Sequence, residues 1–184
     1  MNIGVITSRY AKALLKFVQE KGTGENVYSQ VCELVNVLKS VSKFRDYVEN
    51  HPELTLQKKM GLLSAALGGP LNPELERFIG LVALNGRMEF LTEVLISFVS
   101  QYRQANDIKV GTLVVASPVD GLRERLEEIL HEKTGSEVHL RERVDPELIG
   151  GFLFELGDYR LDGSVQRQFR LLERRLIEKN NRIV

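Results

Sequence analysis

The apolar positions of this chain keep a helical period as far as residue 106 and then change, and that change divides it in two. From Ile3 to about Glu20, the residues Ile6, Tyr10, Ala13, Leu14 and Phe17 recur at helical spacing. Ala11, Leu15 and Val18 form a second apolar line beside them, while Lys12 and Lys16 keep a polar strip. Gly22-Thr23-Gly24 ends this helix. The next, over about residues 25–39, places Val27, Val31, Leu34, Val35 and Leu38 on one face. A short helical piece around Phe44 to Val48 runs into His51-Pro52, a break. Thr55 offers an N-cap to a fourth helix carrying Leu56, Met60, Leu63 and Leu67, which Gly68-Gly69-Pro70 stops. Asn72-Pro73-Glu74 combines a cap, a first-turn proline and an acid near the helix N-terminus. The fifth helix, over residues 73–84, is apolar nearly all round. Asn85-Gly86 closes it, and a sixth carries Phe90, Leu91, Val94, Leu95, Phe98, Val99 and Tyr102. Short connections between six helices predict a compact bundle over residues 1–106.

Beyond Asn106 the pattern turns to strands. Residues 109–116, KVGTLVVA, are rich in β-branched residues and short enough for a buried strand. Ser117-Pro118 turns the chain into a helix over about residues 119–133, carrying Leu122, Leu126, Ile129 and Leu130. Residues 137–144, EVHLRERV, alternate as a half-exposed strand does. Asp145-Pro146 starts a turn, Gly150-Gly151 leads into the apolar run of residues 152–156, and Gly157-Asp158 suits a hairpin turn with positive φ before Tyr159-Arg160-Leu161 returns. Asp162-Gly163-Ser164 then caps a last helix whose stripe is Val165, Phe169, Leu172 and Leu176. The expected fold is α+β: an N-terminal six-helix bundle, then a smaller α/β domain over residues 107–184 in β-α-β-β-β-α order.

Composition narrows the chemistry. Twenty-five basic residues balance twenty-five acidic ones, which gives no overall pull toward nucleic acid or an acidic membrane. Cys32 is the one cysteine, so no internal disulfide framework exists and a reducing compartment is expected. The N-terminus lacks the apolar region of a secretory signal, and no window approaches the ~20 apolar residues of a membrane span, so a soluble chain is expected. His51, His131 and His139 show no metal-ligand spacing. Gly22-Thr23-Gly24 follows no strand and lacks a third glycine, so it is not read as a phosphate loop. Asp158 and Asp162 suggest a carboxylate pair, but turn and cap duty accounts for both. No catalytic residue, cofactor site or metal site is therefore expected.

Arg167, Arg170, Arg174, Arg175 and Lys179 concentrate positive charge on the last helix. A nucleic-acid-binding module built on that helix is the alternative reading. Glu173 and Glu178 interrupt the basic run and no aromatic platform accompanies it, which favours a protein contact. Excess apolar surface points the same way. The first helix has two apolar lines and the fifth is apolar nearly all round, where a small bundle needs one stripe per helix. A groove for another chain's amphipathic helix would use that surplus.

Three stretches carry a resemblance. SRYAKALLKF (residues 8–17), FIGLVALNGRM (78–88) and DPELIGGFLFELGDYRLDGSVQRQFRLLERRL (145–176) resemble, in order and over nearly the whole chain, the delta subunit of F-type ATP synthases. The family's mitochondrial relative is the oligomycin-sensitivity-conferring protein. The resemblance implies a non-catalytic stator whose helical domain grips N-terminal helices of alpha subunits on the catalytic head. Its C-terminal domain would join b-type subunits of the peripheral stalk, holding the head against rotation during proton-driven ATP synthesis. It also implies a peripheral place on the cytoplasmic face of the plasma membrane, without insertion, and no cofactor. Tyr10 and Ala13 match the family's Tyr-Ala-x-Ala motif. With apolar neighbours Leu14, Phe17, Phe78, Leu81 and Val82 they are the expected alpha-binding residues. Phe169 and Leu172, with Arg170 and Arg174 as charge partners, are the expected stalk contact.

Overall fold

The structure, a computed structural model, describes residues 3–51, 53–157 and 159–180, and of residues 175, 176 and 178–180 the backbone alone. Pro52 and Asp158, named above as a break and a turn residue, lie outside the described residues, as do the side chains of Arg175, Leu176 and Lys179. The fold is α+β, with eight α-helices and one four-stranded sheet among the described residues. It forms two compact units, Met1–Asn106 and Asp107–Val184.

The first unit holds α1 (Ile3–Lys21), α2 (Gly24–Ser40), α3 (Ser42–Asn50), α4 (Leu56–Ala66) and α5 (Pro73–Leu84). A 3-10 turn, Met88–Phe90, then runs into α6 (Leu91–Ala105). Helix α6 lies at the centre and buries Leu91, Thr92, Val94, Leu95, Phe98, Val99 and Tyr102. Helix α1 packs along it, burying Thr7, Ala11, Leu14 and Val18. The buried stripe is thus mainly the second apolar line of the sequence plus Leu14. Small Thr7 and Ala11 let the helix backbones approach, and the larger Ile6, Tyr10 and Phe17 stay half-buried on the flank. Gln30 pins the loop before α5: its Oε1 accepts the Asn72 N–H at 2.8 Å and its Nε2 donates to the Pro70 carbonyl at 3.0 Å.

Helix α4 departs from expectation twice. Thr55 makes no side-chain capping bond, and its contribution to the helix start is its carbonyl, which accepts the Lys59 N–H. Lys59 is buried together with Leu63, while Leu56, Met60 and Leu67 are only half-buried. A long aliphatic stem lets a lysine occupy such a position.

The second unit holds β1 (Ile108–Val115), α7 (Leu122–Thr134), β2 (Glu137–Val144), β3 (Phe152–Leu156), β4 (Tyr159–Asp162) and α8 (Val165–Asn180). Spatial strand order is β2-β1-β3-β4, with β1 and β2 parallel and the other pairs antiparallel. The parallel pair is joined through α7, the kind of crossover that parallel strands require. Helix α7 begins at Leu122, later than residue 119, because Gly121 takes a φ of 74° that a helix cannot continue through. Leu113, Val115, Val138, Leu140, Phe154 and Leu156 form the core, roofed by Leu122, Leu126 and Leu130 of α7.

Candidate partner-binding surfaces

On the first unit, the expected residues separate by depth. Leu14 and Val82 are fully buried and Phe78 is 5% exposed, so these three belong to the packed interior. Tyr10 and Phe17 are half-buried, Ala13 is exposed, and Leu81 is 48% exposed. One buried stripe of α5, Leu75, Phe78, Ile79 and Val82, satisfies the bundle, and the surplus apolar residues Leu81 and Leu84 stand in solvent. Tyr10 links the two helices, with its ring edge-on to Phe78 at 6.4 Å and 70°.

The end of α5 adds a residue that helical spacing did not single out. Gly86, at φ 63°, donates to the Ala83 carbonyl, and the Arg87 N–H donates to Val82. This pair of bonds is a Schellman closure, and it turns the Arg87 guanidinium over the Tyr10 ring at 5.7 Å. Asn85-Gly86-Arg87 therefore ends a helix and delivers a cation to the α1–α5 surface. Distance along the chain hides this contact; glycine followed by arginine at a helix end was its only trace in sequence.

On the second unit, α8 starts from two reinforcing bonds. Asp162 Oδ1 accepts the Ser164 N–H at 3.0 Å, and Ser164 Oγ accepts the Arg167 N–H at 3.2 Å. Hydrogen bonding from the Ser164 side chain, and then from its backbone N–H, holds the Asp162 carboxyl below its ordinary range. Of the α8 stripe, Val165 is half-buried while Phe169 is 65% exposed and Leu172 52%, with Arg170 and Arg174 exposed beside them. Leu171 and Ile177 add further exposed apolar surface.

The histidines serve locally. His131 Nδ1 lies 2.9 Å from the Ser136 carbonyl, His139 Nε2 3.0 Å from Glu137, and His51 Nδ1 3.4 Å from the Asp46 carbonyl. Among the described residues no three His, Cys, Asp or Glu side chains gather as a metal site. No helix among them is long and apolar enough to cross a membrane.

Exposed apolar residues on the helical unit and an exposed amphipathic helix, α8, are surfaces of the kind that contact other chains. Residues 6–176 match the model of the ATP synthase delta (OSCP) subunit, and the chain belongs to that family, a non-catalytic stalk component of the F-type complex. ATP synthase subunit delta of Phocaeicola vulgatus is 39% identical over the full length of both chains. That of Bacteroides thetaiotaomicron is 34% identical, again over both full lengths. In fold, the chain is similar to one in the mitochondrial ATP synthase hexamer of Toxoplasma gondii. The TM-score is 0.60 and the identity 24%, covering 93% of this chain and 97% of that one.

Proposed function

We propose that this stator subunit holds the alpha subunits of the catalytic head with its first unit and the b-type stalk with its second. The first unit, read as a six-helix bundle, takes an alpha N-terminal helix along α1 and α5. Tyr10, Ala13, Phe17 and Leu81 meet the guest, and Leu14, Phe78 and Val82 hold those side chains from beneath. The observation that carries this reading is the apolar surface left over after the bundle is packed, led by Leu81 at 48% exposure and Leu84 at 85%. Covering two such leucines contributes roughly 1.5–3 kcal/mol each before ordering costs are subtracted. At the other end Phe169 and Leu172 meet the stalk, with Arg170 and Arg174 pairing acidic groups on it. The subunit then sits on the cytoplasmic face of the plasma membrane through its complex, and resists rotation of the head while protons drive synthesis.

Titration of the full chain with a peptide of the alpha N-terminus, and separately with single-stranded RNA, tests the reading. Saturable peptide binding without RNA binding is expected. Tight RNA binding with no response to the peptide sinks it in favour of a nucleic-acid module.

A further inference from the structure

Helix α4 turns one lysine inward and leaves its charge unmatched. Lys59 is 5% exposed, while Lys58 beside it stands in solvent. Successive helical positions lie about 100° apart, so the two lysines meet different surroundings on one turn. Among the described residues Lys59 Nζ makes no hydrogen bond and no ion pair. Nor is the nitrogen sealed in: the buried side-chain atoms without a partner are the hydroxyls of Thr23 and Thr92. Burial lowers the Lys59 ammonium below the ordinary 10.5, and the charge of Glu49 offsets this only in part.

Lys59 lines an open cavity of about 590 Å³ within the first unit. Leu54, Leu56, Ala83 and Met88 give it apolar walls. The other titratable groups facing it are Glu49 of α3 and Glu89 of the 3-10 turn, and α5 contributes Ala83 and no charge. Glu49 Oε1 is already engaged by the Thr92 N–H at 2.8 Å, and Glu89 stands exposed.

We propose that Lys59 is an acylation site, taking a short neutral acyl group from an acyl thioester through this cavity. A desolvated, unpaired amine is the nucleophilic form of lysine. Its Nζ attacks the thioester carbonyl carbon, a C–N bond forms and the C–S bond breaks. The proton lost from nitrogen leaves with the thiolate as a thiol. The product is an uncharged amide, so the penalty of burying an unmatched ammonium disappears. The lining selects the group. An acetyl or propionyl chain fits against leucine and methionine, whereas a succinyl group sets another carboxylate against Glu49 and Glu89. A coenzyme thioester also keeps its phosphates far from the reacting carbon, where an acyl phosphate carries its charge beside it.

The test incubates the full chain with acetyl-CoA and reads early acetylation at each lysine by mass spectrometry. Lys58 is the internal control, sharing the chain segment but not the cavity. At about pH 7.5 Lys59 is expected to react at least about threefold faster than Lys58, because more of its amine is neutral. That ratio is expected to fall as pH rises to about 10, where exposed lysines also lose their protons. It is expected to vanish in denaturing urea, and with succinyl-CoA as donor. Ala83→Leu narrows the cavity and is expected to slow Lys59 about threefold or more without changing Lys58, circular dichroism confirming the fold. Lys59 reacting no faster than Lys58 in the folded wild type overturns the proposal, as does an advantage that persists in urea. A folded Ala83→Leu chain that reacts at the wild-type rate overturns the cavity as the route. An equal preference with succinyl-CoA overturns the selection for a neutral group.

Discussion

Gly151 and Gly163 touch backbone to backbone. A Cβ on Gly151 would stand 2.3 Å from the Gly163 carbonyl oxygen and 3.0 Å from Ser164 Cα, and Gly151 sits at a φ of 81°. Two hydrogen bonds close this crossing: the Gly163 N–H donates to Phe152 and the Val165 N–H to Gly150. The Gly-Gly before β3 and the Asp-Gly-Ser before α8 are thus one structural joint, and it fixes where α8 leaves the sheet.

Gly151→Ala is therefore expected to destabilise the second unit by roughly 2–4 kcal/mol, combining left-handed backbone strain with a clash that no flexible side chain can relieve. Gly157→Ala is the matched control. Its φ is also positive, at 58°, but open space surrounds it, so about 1 kcal/mol is expected. Urea unfolding of both variants checks the ranking. Equal losses would show that backbone conformation alone, and not the contact with Gly163, sets the cost.

Gly111 answers to packing alone. It lies within β1, paired with Leu140 on one side and Leu156 on the other, and a Cβ there would approach the Glu155 carbonyl to 2.6 Å. Alanine must push β1 and β3 apart at the middle of the sheet. Gly111→Ala is expected to lower stability by about 1–3 kcal/mol, with the loss of a cooperative transition in the second unit as the visible sign. An unchanged midpoint would mean that the strands have room to give.

Tyr10, Val82 and Leu81 test the division between interior and surface. Val82→Asp puts a carboxylate at a fully buried position with no partner, and loss of the folded first unit is expected. Leu81→Asp is expected to leave helical content and thermal midpoint near wild type while weakening the alpha peptide about tenfold. Tyr10→Asp belongs between them. It loses the Phe78 edge contact and the Arg87 stacking, so about 1–2 kcal/mol of stability is expected to go along with peptide affinity. Circular dichroism and peptide titration on the same samples separate the two effects.

Element types were legible because periodicity and caps act locally. Asn72 accepts the Glu74 N–H at 3.0 Å as an N-cap should, and Ser164 does the same for Arg167. Depth within α1 and α5 was not legible. Both apolar lines of α1 fit a helix, and only packing on α6 chose the one containing Ala11 and Val18. On α8 the opposite limit applies. Phe169 and Leu172 have the spacing of a buried stripe yet stand exposed among the described residues, since a pattern states which face is apolar and not which chain covers it. Tyr159 and Leu161, on a short returning strand, have the pattern of ordinary sheet residues, yet both stand exposed.

Burial acts on Lys59 and on the half-buried Glu49 in opposite directions, and each pH response has a definite sign. Glu49 Oε1 accepts the Thr92 N–H at 2.8 Å at the start of α6. Burial raises its carboxyl above the ordinary 4.5, outweighing the relief from Thr92. Burial lowers the Lys59 ammonium below the ordinary 10.5, partly offset by the Glu49 charge. For Glu49 the raised value means stability is fully present below 4.5 and lost as pH rises through the folded value. For Lys59 the lowered value means stability is lost as pH falls from 10.5 through the folded value. Lys59→Met keeps the stem and removes the charge, so it is expected to be neutral or to stabilise by up to about 1 kcal/mol near pH 7, and to flatten the alkaline limb. Glu49→Gln keeps an acceptor for Thr92 and is expected to flatten the acid limb. Denaturant unfolding from about pH 4 to about pH 11, spanning both ordinary values, reads both slopes. A loss above about 1 kcal/mol in Lys59→Met would instead show that its attraction to Glu49 outweighs the cost of burying it.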